Sequence, residues 1–178
     1  MGGKLCNEHS ENTCFIGESW PPLKTQLAWT NAVGPFLVVQ QLLARGLIGS
    51  PPAQNLGVSA EKQQQQHGEG CSTLIANISS IVASQGDQEV SSKMGGGYAY
   101  RASKAALNII NKALCNDLTA SHRVESVLLH PGYVRTDLTG GLGAIDVRES
   151  TDGLFAVLTS GKPLNNRFYS YTGEEIPW

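Results

Sequence analysis

Two short apolar runs limit what this chain can fold into more than any other feature. STLIANISS, residues 72 to 80, carries Leu74, Ile75 and Ile78 among small neighbours, and VESVLLH, residues 124 to 130, is stopped by Pro131-Gly132. Runs of this length without a helical period suit strands covered on both faces of a sheet. Between them, over residues 98 to 120, Leu107, Ile110, Leu114 and Leu118 recur three to four apart, which predicts a long helix with one apolar face. A strand, a helical crossover and a second strand form a parallel pair. The alternation continues on both sides. Apolar residues from Leu27 to Leu43 predict a helix from Thr25 that ends near Gly46 and Gly49, and Pro35 within it predicts a kink or a late start. Val147, Leu154, Phe155, Val157 and Leu158 predict a helix from about Val147 to Ser160, and the aromatic stretch from Arg167 to Tyr171 predicts a last strand. The fold class is therefore α/β with a parallel sheet.

With 178 residues and 40% hydrophobic content, the chain is long enough for one compact domain. Residues 1 to 24 are polar, hold Pro21-Pro22 and two cysteines, and suggest a strand only at Cys14-Phe15-Ile16, so they form a poorly defined N-terminal segment. Residues 50 to 70 contain four consecutive glutamines and almost no apolar side chains, as expected of a flexible insertion. A net charge of -2 without runs of like charge argues against nucleic acid as a partner. Cys6, Cys14, Cys71 and Cys115 are scattered, with no CxxC and no histidine at zinc-site spacing, so reduced thiols and no metal site are expected. The start has no apolar signal region, and no run approaches the roughly 18 apolar residues of a membrane span. Gly2 has Cys6 where a myristoylation signal needs Ser or Thr. These features together predict a cytoplasmic protein without a membrane partner.

The chemistry concentrates in three segments. YAYRASKAALN, residues 98 to 108, places Tyr100 and Lys104 four apart on the long helix, where they share a face. The Lys104 ammonium beside the phenol favours phenolate, so Tyr100 can give or take a proton near neutral pH. Taken alone, this spacing is more often a surface helix pair than a catalytic one. It gains weight from NISS, residues 77 to 80, which puts Ser80 at the carboxyl edge of the sheet, where open α/β folds bind ligands. A hydroxyl there can hydrogen-bond a substrate carbonyl, although Ser79 and Ser80 could simply terminate the strand. HPGYVRTDL, residues 130 to 138, follows the second strand. Its Pro131-Gly132 turn lets backbone approach a ligand, while the Val134 backbone and the Thr136 hydroxyl offer polar contacts. Asn31, near a helix start, reads on its own as a cap or a local hydrogen-bonding residue.

NISS, YAYRASKAALN and HPGYVRTDL, in this order and separation, resemble the short-chain dehydrogenase/reductase family, and the terminal GEEIPW resembles its C-factor (C-signal) branch. The resemblance covers roughly residues 25 to 178 apart from the Gln-rich insertion. It implies a partial Rossmann-like, doubly wound parallel sheet, the C-terminal half of the short-chain dehydrogenase fold. The implied reaction is hydride transfer between NAD or NADP and a small-molecule carbonyl or alcohol. Ser80 would polarise the carbonyl, with Ser79 or Ser84 as alternatives because the loop to Tyr100 is long. Tyr100 would be the acid/base, Lys104 would also bond the nicotinamide ribose, and Asn31 would organise a proton-relay water. Pro131, Gly132, Val134 and Thr136 would meet the nicotinamide, and residues 137 to 148 would form the mobile substrate loop. No TGxxxGxG or NNAG segment precedes Asn31, so the phosphate-binding half is expected to be missing and turnover by the chain alone is in doubt. The alternatives are a non-catalytic signalling module and an interaction module pairing through the two long helices.

Overall fold

The computed structural model describes residues 26–49 and 73–178. Three parallel strands, β1 (Thr73–Ile78), β2 (Val124–His130) and β3 (Phe168–Ser170), form one sheet in that order. Thr73 lies opposite Val124 and Ile78 opposite Leu129, while Leu128 lies opposite Phe168. Val127, Leu128 and Leu129 of the central strand are completely buried or nearly so, which is why this run reads as continuously apolar. Three helices cover the sheet: α1 (Gln26–Ala44), α2 (Tyr98–His122) and α3 (Val147–Thr159).

The helices sort to opposite faces of the sheet. Ala32 of α1 and Leu107 of α2 pack with Leu128, Phe168 and Ile176, and Val39, Leu114 and Leu118 pack with Val124. On the opposite face, Val157 of α3 packs with Val127, Leu129 and Tyr169. The result is a doubly wound α/β sandwich. Residues 1 to 24 and 50 to 70, including the suggested strand at 14 to 16, lie outside the described residues. Among the described residues β1 is an edge strand, and Leu74 and Ile78, alternating with the inward Ile75, are exposed. An exposed apolar strand edge is a pairing hazard.

Pro35 does not delay α1. The helix instead passes through a π turn at Trp29–Val33, closed by the Gly34 N–H on the Trp29 carbonyl, and Pro35 falls in the first turn of the α-helical part that follows. One wide turn absorbs what a kink would have done, and such turns recur at functional sites. α1 carries no charged residue, and its 19 residues are long and apolar enough to cross a membrane by length and composition. In this fold Ala32 and Val39 build it into the core instead.

α2 also carries polar groups on its buried face. Asn111 is fully buried and accepts from Ser126 Oγ of β2 at 2.5 Å and from Asn77 Nδ2 of β1 at 3.1 Å. Buried amides satisfied across two strands fix the height of the helix on the sheet, since sliding would strand them without partners.

His130, at the end of β2, has a buried Nδ1 with no hydrogen-bond partner among the described residues. Burial pushes its pKa down from 6.5 to about 4, against the opposing pull of the Asp87 charge. Below pH 6.5 the unfolded chain takes up a proton that the folded imidazole refuses, so stability falls as pH drops from 6.5 toward about 4. Burial would raise the Asp87 carboxyl, but the backbone N–H groups of Ser91, Val90 and Glu89 and the Lys93 charge outweigh it and hold it below 3.8. The Asp87 contribution is therefore lost only at lower pH. Urea denaturation at pH 7 and pH 5 should show a loss in the native protein, on the order of 1 to 2 kcal/mol, that is largely absent in His130→Gln. An equal loss in both proteins would contradict this assignment.

Candidate active site

The first turns of α2 meet the carboxyl end of β1. α2 starts after Gly97, whose positive φ of 58° turns the chain into the helix, and so presents Tyr100 and Lys104 on one face. The Lys104 ammonium donates to the Ile78 carbonyl at 2.8 Å and lies 6.0 Å from the Tyr100 ring centroid. Burial holds the Lys104 pKa below the usual lysine value of 10.5. Two residues beyond Ile78, Ser80 is buried in extended conformation.

The three candidate serines differ in their commitments. Ser79 Oγ donates to Asn108 Oδ1 of α2 at 2.6 Å, and Ser84 Oγ donates to the Pro177 carbonyl. The hydroxyls of Ser80 and Tyr100 have no hydrogen-bond partner among the described residues. Asn31 lies in the π turn of α1, where its amide donates to Ser103 Oγ at 3.0 Å, and Ser103 Oγ donates to the Tyr100 carbonyl at 2.7 Å. Asn31 thus braces the helical turn that carries Tyr100, and it is not the helix cap its position suggested.

Pro131 and Gly132 leave the end of β2, and Gly132 has φ of 86°. A Cβ at Gly132 would lie 2.6 Å from Ile145 Cδ1 and 2.9 Å from the Tyr171 ring. The following loop is pinned to itself: Val134 bridges Ile145, Thr139 Oγ1 donates to the Val134 carbonyl at 2.7 Å, and Thr136 and Thr139 form a reciprocal capping box. The Val134 N–H has no protein partner among the described residues. Leu138 and Leu142, in the segment read as a substrate loop, are 88% and 77% exposed.

Sequence reasoning missed Arg101, Ser103 and Asn108. Ser103, Asn108 and Asn111 interrupt the apolar face of α2 at helical spacing, a signal that could have revealed them. Arg101 could not be read this way, because its partners lie in a loop whose path only the fold defines.

Ser80, Tyr100 and Lys104 thus lie at the carboxyl edge of an open parallel α/β sheet, where such folds bind their ligands. No family model matches the chain. It is 42% identical over 85 residues to C-signal of Myxococcus xanthus, covering 47% of this chain and 51% of that protein. It is 35% identical over 109 residues to 1-hydroxy-2-glutathionyl-2-methyl-3-butene dehydrogenase of a Rhodococcus species, covering 58% of this chain and 46% of that protein. Among solved structures, a short-chain dehydrogenase/reductase from Burkholderia multivorans with bound NADP matches with a TM-score of 0.69 and 29% identity, covering 94% of this chain and 61% of that one. NADPH-bound carbonyl reductase from chicken fatty liver matches with a TM-score of 0.68 and 28% identity, covering 93% and 61%. In sequence and fold the chain is similar to short-chain dehydrogenases/reductases, with C-signal among its relatives. It spans about half the length of the curated relatives it matches.

The crowded, positive-φ position of Gly132 gives a local test. Gly132→Ala should destabilise the protein by about 1 to 3 kcal/mol in thermal or urea unfolding. A change under a few tenths would contradict the close packing of this turn against Ile145 and Tyr171.

Proposed function

We propose that this chain carries the proton-transferring side of an NAD(P)-dependent oxidoreductase acting on a small carbonyl or alcohol. The observation that carries the reading is the gathering of Ser80, Tyr100 and Lys104 at the end of β1, where neither the Ser80 nor the Tyr100 hydroxyl has a hydrogen-bond partner among the described residues. In the reductive direction the Tyr100 phenol gives its proton to the substrate oxygen, and in the oxidative direction it receives one. Ser80 donates a hydrogen bond to that oxygen and orients it. Lys104 spends one N–H on Ile78 and keeps two for a ribose and for the proton path to Tyr100. Asn31 stiffens this turn through Ser103.

A nicotinamide dinucleotide, when bound, supplies or accepts the hydride. The residues present suit its nicotinamide end. The Val134 N–H, without a partner among the described residues, can meet a carboxamide, Thr136 adds a hydroxyl, and Gly132 provides side-chain-free backbone. The binding of NADP and NADPH by the two structural neighbours supports this reading. These 178 residues contain no TGxxxGxG, so the phosphates have no glycine-rich seat within them and the chain alone should hold the nucleotide weakly.

A second reading is a non-catalytic module that self-associates through α1 and α2. Trp29, Leu37, Val38 and Ile109 are exposed on these helices, and Val33, Phe36, Ile110 and Leu114 line a shallow apolar groove between them.

Titration with NADH and NADPH, followed by fluorescence, separates the two readings. The first expects saturable binding by the native chain and by Tyr100→Phe, with carbonyl reduction falling on the order of a hundredfold or more in the variant. No binding of either nucleotide at millimolar concentration, together with a stable oligomer, would overturn it in favour of the second.

A further inference from the structure

Ser80 is held from both sides by cations of the helix that carries Tyr100. Two residues before it, the Ile78 carbonyl receives the Lys104 ammonium at 2.8 Å, and two residues after it, the Val82 carbonyl receives Arg101 Nε at 3.1 Å. The rest of the Arg101 guanidinium holds the loop that joins Ser80 to Tyr100. Nη1 donates to the Met94 carbonyl at 2.5 Å, and Nη2 donates to the Ser91 carbonyl and hydroxyl, each at 3.0 Å. Ser91 Oγ in turn donates to the Ser84 carbonyl at 2.5 Å, and its N–H donates to Asp87 Oδ2 at 2.5 Å.

We infer that Arg101 is a positioning residue that fixes Ser80 against Tyr100. A planar fork reaches three carbonyls and a hydroxyl, and a lysine cannot reproduce it, because a single ammonium cannot span Val82, Ser91 and Met94 at once. The loop between Ser80 and Tyr100 has no long secondary element of its own. Its two 3-10 turns, Ile81–Ala83 and Ser91–Lys93, are the segments Arg101 ties together. The adjacent C-terminal residues add a second brace, with the Gly86 N–H on the Trp178 carbonyl at 2.7 Å and the Ser84 hydroxyl on that of Pro177. Without Arg101 the loop keeps this outer brace and loses the inner one beside Ser80.

The inference rests on the reaction proposed above, and hydrogen exchange combined with steady-state kinetics separates the two. In Arg101→Lys and Arg101→Met, amides of residues 81 to 94 should exchange about tenfold faster or more, while β2 stays protected. Arg148→Ala, which removes only the exposed ion pair with Asp152 on α3, should leave this exchange unchanged. With a carbonyl substrate, kcat should fall on the order of thirtyfold in both Arg101 variants while KM stays within about threefold, since the misplaced hydroxyl matters most in the transition state. Unchanged exchange would overturn the inference whatever the turnover. Faster exchange with kcat within about threefold of the native value would also overturn it, reducing Arg101 to a structural contact. A native chain without turnover whose loop still loosens in the variants would sink the oxidoreductase reading and, with it, reduce Arg101 to a structural brace of residues 81 to 94.

Discussion

The hydrogen bond from the Lys104 ammonium to the Ile78 carbonyl joins the two elements on which the site depends. It ties the last residue of β1 to the second turn of a 25-residue helix, and so brings the segment that carries Ser80 to the helix that carries Tyr100. A charge-assisted bond in a partly buried setting is stronger than a neutral one. Burial also draws the Lys104 pKa down, so the contact has an electrostatic cost. That cost is sensible if the ammonium has work to do besides bracing the fold.

The remaining polar contacts of α2 repeat this connection along the helix. Ser103 receives Asn31 from α1, Asn108 receives Ser79, and Asn111 receives Asn77 and Ser126. The helix is docked by apolar burial through Leu107, Leu114 and Leu118, a force without direction. The amides and hydroxyls supply direction, because any other rotation or height would bury them unpaired. Ser79 and Ser80 show the result: one neighbouring hydroxyl is spent on the docking, and the other has no hydrogen-bond partner among the described residues.

The elements were legible where one physical signal dominates. The two buried strands read as apolar runs because both faces are covered, and α2 and α3 read from their periodicity. Tyr100 and Lys104 read from a spacing that the helix itself enforces. Two adjacent serines look alike in sequence, and only the pairing of Ser79 with Asn108 tells them apart. Pro35 announced a disturbance in α1, but not that a π turn at Asn31 would absorb it. Arg101 was silent because its meaning lies in the carbonyl directions of a loop with little apolar content and no period.

The central claim is that Lys104, held at the end of β1, makes half of a nicotinamide site beside Tyr100. Saturation-transfer NMR with nicotinamide mononucleotide tests it without needing a seat for the second phosphate or the adenosine. The account predicts transfer to the nicotinamide and ribose protons in the native chain and in Tyr100→Phe, and its loss in Lys104→Ala. Equal transfer in the native chain and Lys104→Ala, or none in either at millimolar ligand, would contradict it.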